Sequence, residues 1–109
     1  RIREARLEEA NLQNAHFHDA ILHSSNLKKT NLKNAQFYRA ELQSAHFERA
    51  DLRGATFKQA NLNDTYFFGA IFSNDTLKSI LKARNWEKAH FDYGVHKELI
   101  EIYEKRKSA

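Results

Sequence analysis

Cysteine is absent from this 109-residue chain, and glycine occurs only three times. Without thiols there can be no disulfide framework and no thiolate metal site, so the redox state of the compartment leaves no trace. No stretch approaches the roughly eighteen apolar residues that a membrane-spanning helix needs, and no basic-then-apolar leader opens the chain. The first residue is Arg1 rather than Met, which leaves a removed targeting segment open; a cytoplasmic location is expected over export. Glycine-rich phosphate loops, metal-ligand spacings and nucleophile–base pairs are all missing. Ser24 and Ser25 lie near His23, but no carboxylate is placed to orient that imidazole. These absences argue against an enzyme and against a cofactor.

What is present is a mixed-charge chain, 41% hydrophobic and 29% charged, in the range of one globular domain or a piece of one. The net charge of +4 is shared evenly, with ten Lys/Arg against eight Asp/Glu in residues 1–74 and eight against six in residues 75–109. No clustered basic stripe stands out, so no nucleic-acid partner is expected.

The organising signal is a period of five. Stepping from Leu7 gives Leu12, Phe17, Leu22, Leu27, Leu32, Phe37, Leu42, Phe47, Leu52, Phe57, Leu62, Phe67 and Phe72. Two residues before each stands Ala, Ser25, Thr30 or Thr65, and Ile2 lies in phase one step earlier. On an α-helix a step of five advances about 140° net, which scatters these residues around the cylinder. On a straight strand an odd step alternates them between faces. A backbone that turns through about a right angle every five residues buries all of them on one axis, and four such turns close a square coil of twenty residues. Phe17, Phe37 and Phe57 then stack on one wall, with Phe47 and Phe67 on the opposite wall.

The pattern, seen in Ala10-Asn11-Leu12-Gln13-Asn14, Ala50-Asp51-Leu52-Arg53-Gly54 and Ala60-Asn61-Leu62-Asn63-Asp64, resembles the A(D/N)LXX motif of the pentapeptide-repeat family. The resemblance implies an all-β solenoid, a right-handed quadrilateral β-helix of about 3.5 coils, over residues 1–74.

After Phe72 the period breaks, and residues 75–109 read as a C-terminal α-helical cap of two helices. Asn74 or Asp75 is placed to cap a short helix beginning near Thr76, with Leu77, Ile80 and Leu81 on one face. Trp86 is placed to lie flat across the last coil, with Ala89 and Phe91 beside it. Asp92 reads as the N-cap of a second helix over about 93–107, with Val95, Leu99, Ile102 and Tyr103 at helical spacing. Leu77, Leu81, Trp86 and Leu99 are thus the capping residues. The segment Lys82-Ala83-Arg84-Asn85-Trp86-Glu87-Lys88-Ala89, followed by Phe91-Asp92, is similar to the tail of cyanobacterial members of the family.

On the outer surface, His16 and His18 flank Phe17 with Asp19 as the only carboxylate nearby, too few donors for a metal. Glu8, Lys28 and Glu48, with Glu9, Lys29 and Arg49 beside them, suggest vertical salt-bridge ladders. Tyr66, Phe68 and Ile71 should point outward near the C-terminal end, where either the second helix covers them or a partner does. These readings converge on a non-enzymatic structural or protein–protein interaction module. Its partner is an unidentified protein, with no nucleic acid, membrane or cofactor, and the N-terminal coil offers a surface for homo-association. The alternative that the resemblance implies, a DNA mimic protecting a type II topoisomerase, calls for a long acidic rod, which this short basic chain is not.

Overall fold

The structure, a computed structural model, describes residues 5–108; Ile2, read above as one further step of the repeat, lies outside them. From residue 5 to residue 71 the backbone repeats one unit, a single bridging residue followed by a tight corner. At each corner the N–H of the small residue donates to the carbonyl of the Leu or Phe three residues back, as from Ala15 to Leu12 at 3.0 Å and Ala45 to Leu42 at 2.9 Å. The residue before the small one sits at positive φ: Glu9, Asn14, Asp19, Ser24, Lys29 and so on at every fifth position to Gly69. A positive φ at the third residue is the signature of a type II turn, normally reserved for Gly or Asn. Here Glu, Lys, Arg, Ser and Gln adopt it too.

What holds them there is the next coil. Every bridge is parallel and, through this region, joins residues twenty apart, as in Asn11 to Asn31 to Asp51 to Ile71 and Asn26 to His46 to Tyr66. The N–H of each strained corner residue donates to a carbonyl of the coil above, from Glu9 to Lys28 at 3.0 Å through Arg49 to Phe68 at 3.0 Å. The motif's Asn or Asp has a local task as well. The Oδ1 atoms of Asn11, Asn26, Asn31, Asp51 and Asn61 accept the N–H two residues on, at 3.1–3.3 Å, the Asx geometry that favours turning. Four corners per coil give a square section, and the molecule extends 40 × 22 × 22 Å.

The axis is filled by side chains. The Leu and Phe from Leu22 to Phe67 are fully buried, as are Ala35, Ala40, Ala45, Ala50 and Ala60 between them. Thr30 and Thr65 fit this axis because their hydroxyls donate to the carbonyls of Leu27 and Leu42 at 2.7 and 2.8 Å, leaving no unpaired polar group. Phe17, Phe37 and Phe57 stack nearly parallel at 5.1 and 5.0 Å between centroids. Phe47 and Phe67 do the same at 5.3 Å. Between the two stacks Phe37, Phe47, Phe57 and Phe67 meet edge to face at 5.5–5.8 Å, the arrangement the ring quadrupole favours. Leu12, Phe17 and Phe72, expected in the core, are only half-buried. Leu12 and Phe17 belong to the first described coil. Phe72 lies where the regular coil ends, tilted against Phe67 and Phe91 at 5.8 and 6.2 Å.

The C-terminal region differs from the expected pair of helices in two ways. Helix α1 spans Asn74–Ile80 and is capped by neither Asn74 nor Asp75 but by Ser73, whose Oγ accepts the Thr76 N–H. The ladder also continues past residue 74. After α1 the chain returns to the walls, pairing Arg84 with Asn61 and His90 with Tyr66, and Phe91 extends the ring stack on Phe67 at 5.0 Å. A 3-10 helix, Trp86–Lys88, lies between these rungs, and α2 spans Tyr93–Ser108.

Together these segments accept the N–H groups that the last regular coil presents. Phe57 and Gly54 donate to the hydroxyls of Ser79 and Ser73, both at 3.0 Å. Leu62, Asp64 and Phe67 donate to the carbonyls of Arg84, Lys88 and His90 at 2.9, 3.1 and 2.8 Å. Leu77, Ile80, Leu81, Trp86 and Leu99 close the top of the core.

Phe37 touches three other rings, so Phe37→Ala removes a stack and an edge contact at once. Its expected cost is about 3–5 kcal/mol, as for other aromatic core truncations, measured by urea denaturation. A loss under about 1 kcal/mol, the scale of a surface change, would refute a central role for that ring.

Candidate functional site

Because Leu and Phe take the inward position, the residues on either side of each face solvent, and residues twenty apart form vertical columns. Reading the columns upward shows where the surface changes character. One runs Glu8, Lys28, Glu48, Phe68; the next wall has Asn11, Asn31, Asp51, Ile71; a third runs Arg6, Asn26, His46, Tyr66. In each, polar rungs give way to a large apolar or aromatic one on the last regular coil.

The three apolar residues meet different fates. Tyr66 is half-buried, sandwiched between the imidazoles of His46 and His90 at 4.8 and 4.7 Å and nearly parallel to both. Phe68 and Ile71 stay open, 45% and 49% exposed, with the His90 ring 6.3 Å from that of Phe68. Covering of this patch by the second helix is not what occurs. Helix α2 turns its buried Leu99 toward the end of the rod, where Tyr103 lies 6.0 Å from Trp86. The start of α2 is tied down beside the patch instead. Asp92, read as an N-cap, accepts the Gly69 N–H through Oδ2 at 2.8 Å, while its carbonyl accepts the His96 N–H at 2.9 Å. Tyr93, the first residue of α2, is 82% exposed. Sequence reasoning missed the tie between Asp92 and Gly69, which joins segments twenty-three residues apart.

The charged columns close less regularly than their spacing suggests. Asp19 and Arg39 form a vertical pair at 3.1 Å. Among the described residues the Glu8, Lys28 and Glu48 column makes none; Glu48 pairs sideways with His46 at 3.1 Å. Near the Asp19–Arg39 pair, Arg84 reaches back to Glu41 at 2.7 Å and donates through Nε to the Gln59 carbonyl at 3.0 Å. His16 and His18 lie 5.6 Å apart, but His18 Nε2 is engaged with Gln36 Oε1 at 2.7 Å. No group of three or more metal-ligating side chains converges among the described residues.

Two carboxylates are held below their usual range. The hydrogen bond from Arg84 lowers Glu41, and that from Arg53 lowers Asp51, with partial burial opposing both. A depressed folded-state pKa adds stability above the unfolded value that is lost as pH falls through the folded one. Stability should therefore decline below roughly pH 4.5, the ordinary glutamate region. In Arg84→Met the Glu41 share of that decline should vanish, an effect of a fraction of a kcal/mol after solvent screening. Urea melts at neutral and acid pH, compared with Glu41→Gln, provide the check; an unchanged acid limb in Arg84→Met would contradict it.

Comparison with known proteins agrees with this geometry. A family model described as the pentapeptide repeat region matches residues 1–79. Among curated proteins no match is found. A crystal structure of a pentapeptide repeat protein, Rfr23 from the cyanobacterium Cyanothece 51142, aligns with 27% identity and a TM-score of 0.58 over 84% of this chain. The alignment spans only 59% of that protein's length. HetL, a pentapeptide repeat protein of the cyanobacterium Nostoc sp. strain PCC 7120 involved in heterocyst differentiation regulation, aligns with 23% identity and a TM-score of 0.38, covering 78% of this chain and 38% of that one. With most of its length matched by the family and its five-residue corners stacked twenty apart, the chain belongs to the pentapeptide-repeat family and is a right-handed β-helical solenoid.

Proposed function

We propose that the chain is a non-enzymatic protein-interaction module, a rigid square rod of about three and a half regular coils that presents the Phe68–Ile71 edge to a protein partner. The observation that carries this reading is the exposure of Phe68 and Ile71, 45% and 49%, on columns whose lower rungs are all polar. Adjacent exposed large apolar residues on a rigid scaffold commonly mark a contact surface. Against catalysis stands the filled axis, which offers no interior chamber for a substrate. Against DNA mimicry stands the charge of +4.

In affinity capture, the chain carrying Phe68→Ser and Ile71→Ser is expected to lose a partner that the natural sequence retains, while its melting temperature stays within a few degrees. Equal recovery by both forms would rule the edge out.

A second reading, homo-association through the N-terminal coil, is favoured by the other end of the rod. Leu7, Leu12 and Phe17 are half-buried there, and among the described residues the N–H groups of Asn11, His16 and Ile21 have no backbone acceptor. Unpaired edges of this kind invite further pairing. Light scattering should show a dimer that Asn11→Pro, which removes an edge donor, converts to monomer. A natural-sequence chain that is monomeric at every concentration would exclude this reading.

A further inference from the structure

The even spread of positive charge along the sequence is undone at the top of the molecule. Three open clefts, of ≈ 260, 370 and 280 Å³, lie along the seam between α1 and α2, and all are bounded by Arg106. Lys78, Lys82, Lys105 and Lys107 contribute to the same walls, and no Asp or Glu lines any of the three. Five cations thus face one groove in a chain whose net charge is only +4.

None of the five is within ion-pair distance of a carboxylate among the described residues, whereas Arg39, Arg53 and Arg84 are each paired. The acidic residues nearest in sequence, Asp75, Glu87, Glu98, Glu101 and Glu104, bound none of these clefts. An unpaired cluster of one sign in a concave seam concentrates potential and attracts a complementary partner.

The floor narrows the class of partner. Leu81 is buried, Ile102 half-buried and Tyr103 39% exposed. The Tyr103 ring has the Lys107 Nζ 5.4 Å from its centroid and the Trp86 ring tilted against it at 6.0 Å. A single-stranded nucleic-acid site would offer several open rings for successive bases to stack on, whereas the lining of this groove has the part-exposed Tyr103 alone among the described residues. An apolar floor walled by cations suits instead a peptide carrying carboxylates beside an apolar side chain.

We propose that the α1–α2 groove binds an acidic amphipathic segment of a partner protein, its carboxylates pairing with Lys78, Lys82, Lys105, Arg106 and Lys107 and an apolar side chain resting on Ile102. This surface is separate from the Phe68–Ile71 edge. Tyr93 and Arg106 stand at opposite ends of α2, about 20 Å apart at 1.5 Å per residue.

The test is fluorescence anisotropy on the intact chain with a labelled peptide alternating Glu and Leu, alongside a Glu/Ser peptide and a single-stranded oligonucleotide. The Glu/Leu peptide should bind tightest and weaken as salt rises. Lys78→Glu with Arg106→Glu should weaken it at least about tenfold, while Phe68→Ser with Ile71→Ser leaves it unchanged. All four positions are solvent-facing, and circular dichroism confirms that each variant is folded. The proposal is overturned if the charge-reversed variant binds equally well, if the Glu/Leu peptide does not bind, or if the oligonucleotide binds more tightly. Loss of peptide binding in the Phe68/Ile71 variant would also overturn it, by moving the site to the edge.

Discussion

The structure depends on one backbone event, a corner every five residues with its third position in the left-handed region. Non-glycine residues resist that conformation by roughly 1–2 kcal/mol each, and eleven of the thirteen described corners of the regular coils carry one. The corner persists because its N–H is already committed to the coil above, at 2.9–3.1 Å through the regular coils. A single corner standing alone would relax; a stack of them cannot without breaking the ladder on every wall. Glycine takes the position at Gly54, where a Cβ would collide with the Asn34 side chain of the coil below. Any side chain there would push the exposed Asn34 side chain aside.

From that corner follow the inward Leu and Phe, the small residue between them, and the paired Phe stacks. Among the described residues the axis is filled by buried side chains from Leu22 to Phe67. The two ends differ. At the top, hydroxyls from Ser73 and Ser79, the carboxylate of Asp92 and carbonyls from residues 82–90 substitute for the missing next coil. At the other end, the first described coil presents half-buried Leu and Phe. Capping one end by side-chain acceptors stops propagation in that direction.

The cap does more than close the ladder. In bringing α1 against α2 it gathers cations that lie up to twenty-nine residues apart, from Lys78 to Lys107, into one seam. In tying Asp92 to Gly69 it anchors the chain entering α2 at the corner that follows Phe68. One helix therefore separates an apolar edge at its start from a basic groove at its end. Two unlike surfaces on a rod this stiff would hold two partners, or two parts of one, at a fixed distance.

The square coil was legible in the sequence because its cause is local and repeated: a Leu or Phe every fifth residue, with a small neighbour two before it, admits no helix and no flat strand. The column positions of Phe68 and Ile71 followed from the same arithmetic. Where the repeat stops, so does that legibility. The return of residues 84 and 90 to the ladder and the stacking of Phe91 on Phe67 rest on contacts more than twenty residues apart, and Ser73, which displaces Asn74 and Asp75 as helix cap, also accepts the N–H of Gly54 nineteen residues back. No periodic signal announces such contacts. Composition alone could count the lysines and arginines, but only the packing of α1 against α2 decided that five of them face the same groove unpaired, because charge is summed in space and the chain is read in order.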